Sequence, residues 1–287
     1  MSTFRAGLPG DHDAPSVFQP GHLLQEARRQ KRLPEHDVPG ICVLDPDGDL
    51  VRHLRSTGQG RPSPGWACYH TELVEFTLAD GTVAGVVGCA VGAPFAVLVA
   101  EQLFASGCRF LISITSAGRI ADLGAPPYVV LIDRALRDEG TSLHYVPQAA
   151  DPFMPAPDPA LIGRIEAALQ QSLPQSLPQS LAQSLAQSGG VALHRGATWT
   201  TDAPYRETAA AIGLAQSLGV LAVEMEAAAL YAFATARAVP VVCLAHVTNT
   251  MGQEAGNDFE KGEAGGSLTA LRVIEAAARA FHQVLAE

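Results

Sequence analysis

The sequence predicts an α/β protein in which helices cover a mixed β-sheet. From Ile41 onward, short apolar runs of strand length alternate with longer segments of helix-forming residues, and this alternation is typical of such folds. A length of 287 residues is enough for one large domain with a substantial core. Hydrophobic residues make up 47% of the chain and charged residues 17%, which predicts extensive burial within the fold or at subunit contacts.

The predicted elements follow in chain order. Residues 1–38 are rich in proline, glycine and charge, and we predict an N-terminal extension with one helix near 22–31. We predict that residues 39–287 form a single domain. Apolar runs predict strands at 41–44, 73–78, 82–91, 110–115, 128–134, 191–200, 218–223 and 239–247. Strong helix formers predict helices at 94–106, 159–169, 206–217, 224–238 and 265–286.

Segment 171–188 interrupts this pattern with the repeated units QSLP, QSLP, QSLA and QSLA. Pro174 and Pro178 break any helix in its first half, whereas the leucines from Leu181 onward are four residues apart and suit one helix face. We predict a low-complexity surface insertion without a catalytic role.

Charge and cysteine content narrow the class of protein. A formal charge of −10 without a basic run argues against binding to nucleic acid or to an anionic membrane surface. No apolar stretch reaches the length of a membrane helix, and no signal peptide precedes the polar N-terminus. The five cysteines are scattered without a CxxC pair, which favours free thiols in a reducing cytosol over disulfides or zinc. We therefore expect a cytoplasmic protein without a bound metal or cofactor.

The most informative motif is the octet Val223–Leu230, in which Glu224, Met225 and Glu226 lie between an apolar strand and an alanine-rich helix. Glutamates in a first helical turn also occur simply because they favour the positive end of the helix dipole. The octet as a whole closely resembles the ribose-binding signature of the nucleoside phosphorylase superfamily. The resemblance implies that Glu226 holds the ribose 2′- and 3′-hydroxyls, that Met225 packs under the sugar and that Glu224 supports this geometry.

Four further segments resemble the same superfamily, in the same order. The turn Gly88–Pro94, with Gly92 before a helix, is similar to its glycine turn, and Ser113–Gly118 resembles its "GTTGA" or "GSAGG" segment. Asp138–Tyr145 is similar to a segment of uridine phosphorylases, the members whose pattern is closest. The loop at Thr200–Thr208 corresponds to one that bears a base-stacking aromatic. The resemblance implies a base pocket lined by Ser116, Ala117, Gly118, Pro204, Tyr205 and Arg206.

Asn249 falls where purine-specific relatives carry an aspartate that assists the departing base. The asparagine side chain can donate or accept a hydrogen bond but cannot deliver a proton. Uridine phosphorylases also have asparagine there, followed by a catalytic arginine, but here the next residue is Thr250. The resemblance therefore places Asn249 beside the leaving base and leaves the preference for purine or pyrimidine open.

The arginines with which these phosphorylases bind phosphate are missing. The positions that match them hold Leu50, Thr71 and Ser113, and the loop before Leu50 carries three aspartates. A bound phosphate has about two negative charges and needs charged hydrogen bonds. Candidate substitutes close to these positions are Arg52, Arg119 and His70. Ser113 itself is a candidate for the same phosphate or water site. Inorganic phosphate as co-substrate and water as nucleophile both stay open.

Membership of this superfamily would imply a three-layer α/β/α fold with a distorted mixed sheet and a homo-oligomer between dimer and hexamer. The expected activity is cleavage of the N-glycosidic bond of a small-molecule nucleoside, with ribosyl transfer to phosphate or water. One alternative is a nucleoside-binding or sensing protein that has lost turnover. A serine hydrolase using Ser113 or Ser116 is a weaker alternative, because no nucleophile-elbow pattern is present.

Overall fold

The computed structural model of the chain describes residues 12, 14–173, 191–250 and 260–286. Most of the predicted low-complexity insertion, from residue 174 onward, lies outside the described residues, as do residues 1–11 of the predicted extension. Among the helices of the described ranges, none combines the length and the apolar character that crossing a bilayer requires.

A single mixed sheet organises the described residues. Its strands are β1 (Ile41–Asp45), β2 (Arg61–Pro62), β3 (Val74–Thr77), β4 (Val83–Gly88), β5 (Phe110–Arg119), β6 (Tyr128–Asp138), β7 (Phe153–Pro155), β8 (Ala192–Thr201), β9 (Val220–Glu224) and β10 (Val241–Thr250). The strand order is β10-β6-β8-β9-β5-β1-β4-β3-β2, with β7 added to β6. Since β10 also pairs with β5, the strands β5, β10, β6, β8 and β9 curl into a closed ring.

Strand directions bring several carboxyl ends to one edge of the sheet. The strands β1 and β10 run parallel to β5, and β4 runs parallel to β1. In contrast, β9 runs antiparallel to β5, and Val223 of β9 pairs with Gly118 of β5. The chain that leaves β9 therefore runs back along β5 toward Thr115, which places the Glu224–Glu226 segment beside the carboxyl edge.

Helices lie on both sides of this sheet. They are α1 (Pro20–Lys31), α2 (Asp49–Ser56), α3 (Ala93–Ala105), α4 (Pro159–Ser172), α5 (Ala209–Ser217), α6 (Ala227–Arg237) and α7 (Ser267–Ala286). α3 packs against α6, whereas α2 and α4 pack against α7. The first eight residues of α6 are all buried, which explains its almost uncharged sequence. The predicted α/β fold with a distorted mixed sheet is confirmed.

The structure differs from the predicted elements at two places near the carboxyl edge. Helix α6 begins at Ala227 instead of Glu224, because Glu224 ends β9 and its carboxylate accepts the amide hydrogens of the next turn. Helix α2 was not predicted, because its sequence is mostly polar. Only Leu50 and Leu54, four residues apart, are buried in it, and that spacing forms one narrow apolar stripe. The short strands β2 and β7 were also not predicted.

The hydroxyl of Tyr231 connects α6 to two strands of the ring. It donates to the Ile132 carbonyl (2.6 Å) and accepts from the Cys243 amide (3.1 Å), and the residue is fully buried. We expect Tyr231→Phe to lower the free energy of unfolding by about 1–3 kcal/mol, because buried polar groups lose their partner. Urea denaturation tests this, with Tyr69→Phe as control. The Tyr69 hydroxyl bonds Gln30 at the surface, so equal effects of the two variants would contradict the prediction.

Candidate functional site

Glu224 is the most heavily hydrogen-bonded side chain of the candidate site. It is 3% exposed, and its Oε1 accepts from the hydroxyls of Thr198 (3.0 Å) and Thr200 (2.5 Å). Its Oε2 accepts from the backbone amides of Glu226 and Ala227, both at 2.7 Å. These four donors come from β8 and from the start of α6. Glu224 therefore fixes the junction between β9 and α6, and with it the position of Glu226.

Glu226, in contrast to Glu224, has few hydrogen-bond partners. It is 1% exposed, and its Oε1 accepts the backbone amide hydrogen of Gly92 at 2.8 Å. Gly92 lies at the start of α3 with φ 88°, a backbone conformation that favours glycine. The other oxygen, Oε2, is buried without a hydrogen-bond partner in the described residues. Glu226 thus keeps one acceptor free at the carboxyl edge.

Burial raises the pKa of both glutamates. For Glu226 the pKa rises to about 7, because burial disfavours the charge and the neighbouring Glu224 adds repulsion. The Gly92 amide opposes this rise, as does the nearby hydroxyl of Thr115, although that hydroxyl donates to the Ser116 carbonyl (3.2 Å). The pKa of Glu224 is also raised by burial, against four stabilising donors. Both carboxyls of the pair therefore hold a proton more strongly than exposed glutamates do.

A second cluster of charges lies where the loop after β1 meets the end of β5. The Ser116 hydroxyl donates to Asp47 Oδ1 (3.0 Å), and Lys261 Nζ lies 2.6 Å from both Asp47 Oδ2 and Asp49 Oδ2. Arg52 forms an ion pair with Asp49 on its other side. The resemblance predicts a phosphate loop at this position; in the structure its aspartates bind cations of the chain itself.

These groups surround a small cavity of about 30 Å³. Asp45 lines it and is 6% exposed; burial raises the pKa of its carboxyl to about 6. His246 lines the same cavity with its Nε2 unpartnered in the described residues, and burial, followed by the nearby Lys261, lowers its pKa to about 4. A Cβ added to Gly266 would lie 2.6 Å from His246 Cε1, so the ring is held closely in place.

The other residues predicted on β5 and β10 lie at the same edge. Ala117 and Gly118 are buried at the end of β5, and Asn249 of β10 pairs with Gly118 in the backbone ladder. Met225 is half-buried between the two glutamates. The structure therefore brings these residues together with Ser116, Glu224, Glu226 and Gly92.

The predicted base-stacking residues are placed differently. Pro204, Tyr205 and Arg206 form a short 3₁₀ helix between β8 and α5, and Tyr205 is 99% exposed. Its ring projects into solvent and not against the carboxyl edge. His70, a candidate substitute for a phosphate arginine, is exposed on the loop before β3.

The remaining candidates for a phosphate site are either buried or already paired. Ser113 is 1% exposed within β5. Arg119 pairs with Asp122 (3.1 Å) and donates to the Gly124 carbonyl (2.9 Å). As with Arg52 and Asp49, the guanidinium is already neutralised by a carboxylate of the chain.

Sequence reasoning missed three residues that the structure places around the cavity: Lys261, His246 and Asp45. Lys261 comes from the segment before α7, which carries no recognisable motif, and contacts a loop more than 200 residues earlier. A signal did exist for the other two, because both lie on strands that run parallel to β5: Asp45 ends β1, and His246 lies in the second half of β10.

The fold defines an α/β protein whose candidate site lies at the carboxyl edge of a curled mixed sheet. The family model described as the phosphorylase superfamily matches residues 41–286, and the chain belongs to this superfamily.

Two solved structures of uridine phosphorylase from Vibrio fischeri ES114 share the fold. The complex with 6-hydroxy-1-naphthoic acid is 19% identical with a TM-score of 0.61, covering 88% of this chain and 94% of that one. The other structure is 17% identical with a TM-score of 0.62, covering 86% and 95%. No curated protein matches the chain significantly.

The burial of Glu226 predicts a pH-dependent stability. A carboxyl whose pKa is about 7 in the folded state and 4.5 when unfolded stabilises the fold below pH 4.5 and loses this contribution as the pH rises through 7. We expect the free energy of unfolding of the wild type to fall over this range by roughly 3 kcal/mol more than that of Glu226→Gln. Urea denaturation at several pH values measures both. Parallel curves would contradict the prediction, and Glu72→Gln, with a 75% exposed side chain, serves as control.

Proposed function

We propose that the protein cleaves the N-glycosidic bond of a nucleoside and transfers the ribosyl group to water. The observation that carries this proposal is the buried carboxylate of Glu226, with one oxygen held by Gly92 and the other without a partner in the described residues. A buried acceptor without a donor costs about 1–3 kcal/mol, and the vicinal hydroxyls of ribose are suitable donors. The superfamily resemblance assigns this role to the same residue.

Binding of a nucleoside requires the site to open. Glu226 is 1% exposed, and a cavity of about 30 Å³ is far below the several hundred cubic ångströms of typical ligand sites. The turn before α3 is the element whose displacement would release the Glu226 carboxylate, because its Gly92 amide holds that carboxylate. Cys89 and Val91 in this turn are exposed, whereas Ala90 between them is buried in the core, so the movement has to withdraw Ala90 from its packing.

The charges at the loop after β1 favour water over phosphate. Two of the three aspartates, Asp47 and Asp49, form ion pairs with Lys261 or Arg52. A phosphate dianion would have to displace these ion pairs, and the carboxylates would then repel it. Water is neutral, and the cavity has room for one molecule with polar partners.

Asp45 is the residue that we propose to accept the proton of this water. Its carboxyl lines the cavity, and a pKa of about 6 is close to the working pH that general-base catalysis requires. In the reaction the C1′–N bond breaks and its electron pair passes to the base, while the water oxygen bonds C1′ and its proton moves to Asp45. Asn249 would hydrogen-bond the departing base, which takes its own proton from solvent. The base itself would lie against Ser116, Ala117 and Gly118.

One observation favours the alternative of a nucleoside-binding protein without turnover. The proposed leaving-group residue, Asn249, cannot deliver a proton, so departure of the base receives no acid catalysis from it. The same Glu226 would then hold the sugar, and only the release of free base separates the two functions.

Chromatography of a nucleoside panel incubated with and without phosphate tests the proposed reaction. We expect free base at equal rates in both conditions, and a loss of at least about 100-fold in Glu226→Gln, since two charged hydrogen bonds to the diol are worth about 1.5–3 kcal/mol each. Glu72→Gln on the surface should leave the rate unchanged. Release that requires phosphate would overturn the choice of nucleophile. Binding without any release would support the sensing alternative.

Asp45→Asn tests the proton acceptor. We expect base release to fall by about 100-fold or more, with nucleoside affinity retained, because general-base catalysis contributes factors of this order. In the wild type the rate should rise with pH through about 6 as Asp45 ionises, and the variant should lose this limb of the profile. An unchanged pH profile in Asp45→Asn would assign the proton to another group.

A further inference from the structure

A larger crevice lies at the opposite ends of α3 and α6 from the candidate site. Its volume is about 610 Å³, within the range of small-molecule sites. Glu101 and Gln102 line it from the last turns of α3, which lie about 15 Å along the helix axis from Gly92. The crevice and the cavity beside Ser116 have no lining residue in common.

The N-terminal strap, residues 14–19, forms one wall of this crevice. His12 Nε2 lies 3.0 Å from the Leu143 carbonyl oxygen on one side of it, and α1 packs on the body through Leu24 and Ala27 on the other. Between these anchors, Phe18 lines the crevice and is 69% exposed. The strap therefore presents an aromatic ring with nothing packed tightly against it.

The floor of the crevice is an ordered and electrically balanced cluster. Glu101 Oε1 accepts from the Tyr145 hydroxyl (3.1 Å) and from Arg237 Nε (3.0 Å) and Nη2 (2.7 Å). The Tyr145 ring is in turn fixed by edge-to-face packing on Phe233, with 5.9 Å between the ring centroids. Since the carboxylate and the guanidinium neutralise each other, this floor favours a neutral ligand.

Gln102 is the polar group of the crevice that lacks a partner. Its residue is only 3% exposed, and its Oε1 is buried without a hydrogen-bond partner in the described part of the chain. The side-chain amide offers a donor and an acceptor next to each other, and glutamine pairs in this way with the edge of a nucleobase. Aromatic rings such as those of Phe18 and Tyr145 are the usual stacking surfaces for such bases.

We propose that this crevice is a second, non-catalytic binding site for a neutral planar heterocycle with adjacent N–H and acceptor groups, the chemical class of a free nucleobase. Gln102 pairs with the edge of the heterocycle, and Phe18 of the strap stacks on its face. The choice of ligand rests on the proposed function, because cleavage of a nucleoside releases a molecule of this class. The site would then respond to the product of the reaction.

Calorimetric titration of the full-length protein with adenine, hypoxanthine, uracil and cytosine tests the proposal. We expect saturable binding of at least one base that weakens at least tenfold in Gln102→Leu and about fivefold in Phe18→Ala. Val17→Ala is the matched control, since Val17 is its fully exposed neighbour on the strap and does not line the crevice. Phe18 is largely exposed, so its variant stays informative even where Gln102→Leu fails to fold.

Unchanged affinity in both variants, or no saturable binding to the wild type, would overturn the second site. A change of molar mass in Phe18→Ala by light scattering would also overturn it, because the crevice would then be a contact between subunits. Base release from nucleosides, measured separately, should be unaltered in all three variants when no base is added. If the protein binds a base but releases none from nucleosides, the proposed function is wrong and the second site stands. If it releases base but the second site binds none, the proposed function stands and the second site is wrong.

Discussion

The site depends on the four hydrogen bonds that Glu224 accepts. A buried carboxylate is costly, and here two hydroxyls of β8 and the amides of Glu226 and Ala227 offset that cost. The same bonds prevent the helix from starting earlier and leave Glu226 at its N-cap. A second carboxylate is thereby buried against the first with a single backbone donor. Glu224 thus uses the available hydrogen-bond donors and leaves Glu226 short of them. A carboxylate that lacks donors is suited to accept hydrogen bonds from a ligand.

The charge of the loop after β1 is opposite to the positive charge that a phosphate-binding member of the superfamily would need there. The loop after β1 carries carboxylates, and Lys261 reaches it from the segment before α7. The positive charge of Lys261, which would attract an anion, is thus neutralised by aspartates of the same chain. The three aspartates and the lysine lie beside Ser116 and His246, so the residue that we propose to hold the sugar shares the carboxyl edge with a cluster whose carboxylates disfavour anions.

Much of the fold was predictable because the local patterns agree with the tertiary structure. Uninterrupted apolar runs gave the buried strands, and the octet at Val223–Leu230 placed both glutamates at a strand–helix junction. What could not be predicted depends on contacts between distant segments. Lys261 meets Asp47 across more than 200 residues, and β10 closes on both β5 and β6. Helix α2 was not predicted because only two leucines anchor it to the core. The solvent exposure of Tyr205 could not be predicted because nothing in its own segment indicates it.

The closed ring of strands has a consequence for how copies of this chain can associate. Curling pairs both sides of β5, β10, β6, β8 and β9, and within the described residues the strands outside the ring end in β2, only two residues long. The three-residue β7 offers little more. Few unpaired backbone N–H and C=O groups therefore remain at the sheet edges to pair with a strand of another molecule. This protects against edge-to-edge aggregation. Within the described residues, helices and loops therefore offer most of the surface for contacts between copies of the chain.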